Sequence, residues 1–159
     1  MMGSLNELLD YESYKPPEPG DAPKISVWVH ALFTVKTPAT GLNGLAREAI
    51  ERSFRKTAAR FGVEMDEVCA IDDHCHALFR LPSNVDLETF VVYLQSESEK
   101  TLEEKRFSAI PTAWEERYTA VSVGARELEE ARRHIRSQTR VHGKISYSER
   151  YRNFILRYG

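Results

Sequence analysis

Four β-rich segments and two long amphipathic ones alternate in the order β-α-β-β-α-β, which predicts an α+β fold. The expected architecture is the ferredoxin-like split βαβ pattern, with an antiparallel sheet and extra C-terminal helices. Two further observations support it. Residues 25–36 carry apolar groups at both odd and even positions, as a central strand needs. Residues 43–61 show helical spacing that ends on a glycine.

Residues 1–24 are rich in proline and acidic groups and are expected to form an extension outside a domain spanning 25–159. Ile25–Lys36 is β-branched and aromatic, so it reads as a strand. Val27, Val29, Ala31, Phe33 and Val35 share one face; Trp28, His30, Leu32 and Thr34 share the other. From Asn43 to Phe61, Leu45, Ala49, Ile50, Phe54, Ala58 and Phe61 mark a helix, and Gly62 is its expected C-cap. Val63–Asp72 and His74–Leu81 read as strands around an Asp72-Asp73 turn, and Pro82 stops the second. Asp86–Arg106 is helical in period, through Leu87, Phe90, Val91, Leu94 and Leu102. Beyond Pro111, Tyr118–Val123 is a short strand, Arg126–Thr139 a helix striped by Leu128, Ala131 and Ile135, and Ser146–Arg157 a last helix.

The chain has 159 residues, 42% hydrophobic, enough for one core-bearing domain. Its net charge of -2 hides an asymmetry. Asp86–Lys105 holds six acidic and two basic residues, whereas Arg126–Arg157 holds nine basic residues against four glutamates. A nucleic-acid partner is therefore expected along the C-terminal third, although on charge alone a solvated arginine face is the simpler reading. Cys69 and Cys75 form no C-x-x-C pair and are expected to be buried free thiols. No secretory core and no apolar run of membrane-spanning length is present, so a soluble, cytoplasmic protein without a membrane partner is expected.

The first chemically informative stretch is DDHCHALFRLP, Asp72–Pro82. On a strand, positions i and i+2 face the same way, so His74 and His76 can present two imidazoles to one point, half of a divalent-metal site. A bare H-x-H is weak evidence, and two strand histidines near a turn would account for it.

The surrounding sequence adds to this. DDHCHALFRLP resembles the histidine–hydrophobic–histidine motif of the small single-tyrosine transposases, which mobilise insertion sequences as single-stranded DNA, together with their relatives acting on repetitive extragenic palindromes. VWVHALFTVK is similar to the family's opening strand, and AARFGVEMDEVCAIDDHCH to the helix end, glycine and strand that lead into the histidines. Trp114–Val123 is similar to the segment before the last core helix; Arg133–Gln138 and the following VHGKISYSERY resemble the nucleophile helix and its tail. The resemblance covers about Ile25 to Arg157 in order and spacing.

It implies that His74 and His76 hold a divalent ion, Mg²⁺ or Mn²⁺, acting as a Lewis acid on a scissile phosphate. It implies that Gln138, one turn after the nucleophile, adds a ligand, and that a tyrosine forms a covalent 5′ phosphotyrosine link. It also implies a homodimer and a single-stranded or hairpin DNA partner. Basic residues expected to contact that DNA are Lys36, Arg132, Arg133, Arg136 and Arg140.

The sequence departs from the family at the nucleophile. His134 occupies the tyrosine position, and no tyrosine lies between Tyr118 and Tyr147. An imidazole would form a labile phosphoramidate, so strand cleavage is expected to be impaired or lost. Leu94–Lys100 is mostly acidic or neutral where relatives offer basic residues, and Arg117 stands where they often have glycine. The alternative is a domesticated, non-catalytic DNA-binding or dimerisation module. A third possibility makes His134 a ligand in a His74–His76–His134 zinc site. Of the remaining residues, His30 is expected behind the metal ligands at most, and Asp72 and Asp73 could add a carboxylate to the metal, although turn formation is sufficient reason for them. Trp28 belongs to the core, Trp114 and Tyr118 are candidates for base stacking, and Tyr147 or Tyr151 for a replacement nucleophile. His142, beside Arg140 and Lys144, reads as part of a basic turn.

Overall fold

The computed structural model describes residues 25–36, 42–105 and 114–138. Their elements run β1 (Trp28–Thr34), α1 (Gly44–Phe61), β2 (Glu64–Ala70), β3 (His74–Arg80), α2 (Leu87–Lys105), β4 (Thr119–Val123) and α3 (Leu128–Arg136). The sheet order is β2-β3-β1-β4 and every pairing is antiparallel, which is the predicted α+β, ferredoxin-like arrangement. Element ends move inward by up to three residues, the ordinary uncertainty of boundaries. The expected extension over 1–24 and the helix over 146–157 lie outside the described residues.

β1 is central, as its two apolar faces require. It pairs with β3 on one side (Trp28 opposite Arg80) and with β4 on the other (Trp28 opposite Val123). Val29, Ala31, Phe33 and Val35 enter the main core with Ile50 and Phe54 of α1 and Phe90 and Leu94 of α2. The aromatic rings there meet edge to face, Phe33 on Phe54 at 5.4 Å and Phe79 on Phe90 at 5.1 Å between centroids. On the opposite face Trp28, Cys69, Ile71, Leu78 and Val123 are covered by Ala131 and Ile135 of α3. The sheet is thus covered by two long helices on one side and by a short helix on the other.

Local chemistry sets the helix ends. The Asn43 side chain accepts a hydrogen bond from the Ala46 N–H at 2.9 Å, capping α1. Gly62 closes it at φ 67°, donating to the carbonyls of Ala58 and Ala59. The Asp86 carboxylate accepts from the Thr89 N–H and hydroxyl, both at 2.8 Å, opening α2. Those two bonds, the backbone one first, hold the Asp86 carboxyl below the usual carboxylate range.

Trp114 and the acidic helix have structural work. Trp114 is buried, its indole N–H donates to Ser98 Oγ at 2.9 Å, and its backbone N–H donates to Glu99 at 2.8 Å. It fills core rather than offering a stacking face. Both cysteines are buried and free, as expected. Burial pushes the Cys69 thiol up to about 11 and the Cys75 thiol well above its ordinary value. Among the described residues no helix is long and apolar enough to cross a membrane.

Candidate functional site

β3 turns His74 and His76 to one face and buries Cys75 in the core on the other. Both histidines are buried, at 1% and 3% exposure, rather than hanging at the edge of a turn. Their ring centroids lie 5.1 Å apart. The turn before them is anchored by the backbone: the Asp73 carbonyl accepts from the Val35 N–H at 2.9 Å and the Asp72 carbonyl from the Leu42 N–H at 2.8 Å.

Each histidine has a partner on Nδ1. Asp73 Oδ1 lies 2.5 Å from His74 Nδ1. The Nε2 of His30 lies 3.0 Å from His76 Nδ1. The second contact follows from register, because Leu32 pairs with His76, and His30, two residues away on the same face, is its diagonal neighbour. With Nδ1 engaged, Nε2 is the nitrogen through which each ring would ligate a metal, the usual arrangement for metal-binding histidines with outer partners.

α3 reaches this pair from across the sheet. Leu128, Ala131 and Ile135 form its apolar stripe, and the flanks of that stripe carry two different pairs at helical spacing. On one flank Arg132 meets Asp66 at 2.5 Å and Arg136 meets Glu67 at 2.6 Å. Neighbouring strand residues normally face opposite ways; a register shift between Met65 and Glu67 makes Asp66 an extra residue and lets both acids address α3. The hydrogen bond to Asp66 raises the Arg132 guanidinium above its already high value. On the other flank stand His134 and Gln138. The His134 ring lies 5.6 Å from that of His76 and 6.0 Å from that of His30, centroid to centroid. The Gln138 amide nitrogen donates to the His134 carbonyl at 3.0 Å and lies 3.2 Å from His134 Nε2.

Among the described residues, no three His, Cys, Asp or Glu side chains are arranged to hold a metal, so the zinc set His74–His76–His134 is not assembled. An ion on His74 and His76 would therefore need further ligands of another kind, such as an amide, water or phosphate oxygen.

The basic residues expected to contact DNA divide into groups. Lys36 is exposed and lines a groove of about 920 Å³ with Thr34, Arg117 and Tyr118 and with two acids, Glu115 and Glu116. It begins next to the site, since Thr34 pairs with His74. Arg133 is exposed and shares a second groove of about 560 Å³ with Arg126 and His134 and with the acids Glu129 and Glu130. Arg132 and Arg136 are engaged with the acids of β2, and Arg132 also lies 5.9 Å from the Trp28 ring centroid. Arg140, His142, Tyr147 and Tyr151 lie outside the described residues. The sequence offered Asp73 as a possible carboxylate for the metal with turn formation as the sufficient explanation, and placed His30 behind the ligands at most. The aspartate directly before the first histidine was the available signal for Asp73; nothing local signalled the bond from His30.

Comparison with known proteins bears on the family and the fold. The sequence profile of the IS200-like transposases matches residues 24–138. No protein of curated function matches the chain. A candidate transposase from Deinococcus radiodurans R1 shares the fold at TM-score 0.60 and 16% identity, over 77% of this chain and 98% of that one. A transposase of the REP-associated tyrosine class, solved bound to a REP hairpin, shares it at TM-score 0.60 and 11% identity, over 82% of this chain and 76% of the other. The profile spans most of the chain, from four residues before β1 to the glutamine that ends the α3 flank, and the chain belongs to the IS200-like transposase family.

Proposed function

We propose that the protein binds hairpin-bearing single-stranded DNA as a dimer in the cytoplasm and holds Mg²⁺ or Mn²⁺ at His74, His76 and Gln138. Strand cleavage is impaired because His134 stands where the family's tyrosine would attack. The observation that carries this reading is the placement of α3. It brings the His134 ring to 5.6 Å from that of His76, with Gln138 one turn further on and in contact with His134, which supports reading the two as a nucleophile position and its neighbouring ligand. A relative's hairpin complex supports the choice of DNA. A bound divalent ion would supply Lewis-acid stabilisation of the phosphate under attack. The chain's own groups supply position: Asp73 and His30 orient the two imidazoles, and Lys36 and Arg133 offer charge to the backbone on either side.

At His134 the chemistry changes. Attack by an imidazole nitrogen would leave a phosphoramidate, which hydrolyses readily and stores a strand end poorly. The Gln138 amide also sits on the same ring nitrogen. The test is incubation of labelled hairpin DNA with protein and Mn²⁺, read on a denaturing gel. The wild type should bind DNA yet give no covalent adduct, and His134→Tyr should gain one. Robust wild-type adducts mapped to Tyr147 or Tyr151 would overturn the reading. A non-catalytic DNA-binding or dimerisation module is the second reading, favoured by the acids of α2, and absence of any adduct from His134→Tyr would support it. Failure to bind DNA even at low salt would leave dimerisation alone.

A further inference from the structure

We propose that His30 is a positioning residue for the metal site: its Nε2 accepts the Nδ1–H of His76 and so fixes the tautomer in which His76 can ligate. The inference rests on the reading of His74 and His76 as ligands.

His30 and His76 are 46 residues apart in sequence, on adjacent strands, and both are buried. Their nitrogens lie 3.0 Å apart, so one hydrogen lies between them. Two neutral imidazoles can share it in two ways. If His30 Nε2–H donates, His76 accepts on Nδ1 and carries its own hydrogen on Nε2, where a metal would have to bind. If His76 Nδ1–H donates, His76 Nε2 keeps its lone pair, and His30 must carry its hydrogen on Nδ1. Only the second arrangement is compatible with ligation through Nε2.

His74 has the corresponding support from Asp73, which can only accept when ionised. The two ligands thus have acceptors of different kinds, an anion close in sequence and a neutral ring brought in by strand pairing. The His134 ring packs near both members of the second pair, at 6.0 Å from His30 and 5.6 Å from His76. Packing and hydrogen bonding together hold the orientation of His76.

The experiment measures Mn²⁺ affinity by electron paramagnetic resonance on the full chain, for wild type, His30→Leu and His30→Gln, with folding checked by circular dichroism. Outer partners of ligating histidines are typically worth about 10- to 100-fold in metal affinity, and His30→Leu should lose that much. His30→Gln places an amide oxygen near the former Nε2 and should recover most of it. Unchanged affinity in His30→Leu, or equal loss in both folded variants, overturns the proposal. Failure of the wild type to bind Mn²⁺ would instead sink the ligand reading, and this inference with it. If the variants do not fold, the wild-type Mg²⁺ complex decides. Long-range ¹H–¹⁵N correlation should place the His30 proton on Nδ1, and a proton on His30 Nε2 overturns the proposal.

Discussion

Replacing Ile135 with alanine should loosen α3 before it unfolds the domain. Ile135 is fully buried, against a patch that includes Trp28, Ile71 and Leu78. The substitution removes three carbons, worth about 2.4 kcal/mol at about 0.8 per buried carbon. A residual cavity adds to this, within the usual range of about 2–5 kcal/mol. Two effects reduce it: among the described residues α3 is the one helix on its face of the sheet and can settle into the space, and alanine gains roughly 0.4 kcal/mol of helix propensity. The net expectation is about 2–3 kcal/mol. A helix of nine residues has little stability without its docking face, so the loss should appear as local opening. Native-state hydrogen exchange should show α3 amides losing about 30- to 150-fold in protection, with smaller losses in β1. Unchanged α3 protection, or equal loss in β1, would refute the view of α3 as a separately docked element.

Gly62→Ala should lower stability by about 1–2 kcal/mol, because φ there is 67° while an added Cβ meets no atom within 4 Å; thermal melts check this. With the Cys69 thiol at about 11 and Cys75 higher, roughly one Cys69 thiol in a thousand is ionised at pH 8. Labelling by a disulfide reagent should therefore require opening of the sheet, and rapid labelling of native protein would contradict it. The Asp86 carboxyl is depressed in the fold, so its contribution is complete above the ordinary carboxylate range and is lost as pH falls through the folded value. The stability gap between wild type and Asp86→Ala should accordingly be constant near neutrality and narrow in acid, as urea titrations at several pH values would show.

Much of this architecture was legible in the sequence. The two apolar faces of residues 25–36 required a central strand, and helical spacing with Asn43 and Gly62 at its ends set α1. The i, i+2 relation of His74 and His76 and the i, i+4 relation of His134 and Gln138 followed from element periods alone. What stayed hidden depends on pairing between strands. The irregularity at Asp66 has no local signature, since it exists only relative to β3. Without it, Arg132 and Arg136 read as two more cations for DNA; with it, both are engaged by β2. The His30 bond was hidden for the same reason, because it follows from the register that sets Leu32 opposite His76. The acids of α2 read as a departure from a basic surface, yet Glu99 holds the backbone of Trp114 and Glu97 lies 3.9 Å from Arg60.

Under the proposed function, the histidines of β3 and Gln138, just beyond α3, hold one divalent ion. The most direct measurement is calorimetric titration of metal-free protein with Mn²⁺, comparing wild type, the double substitution His74→Ala/His76→Ala, and Gln138→Ala. One ion per chain should bind the wild type, binding should vanish in the double variant, and Gln138→Ala should weaken it while leaving the fold intact. Wild-type affinity retained by the folded double variant would contradict the account.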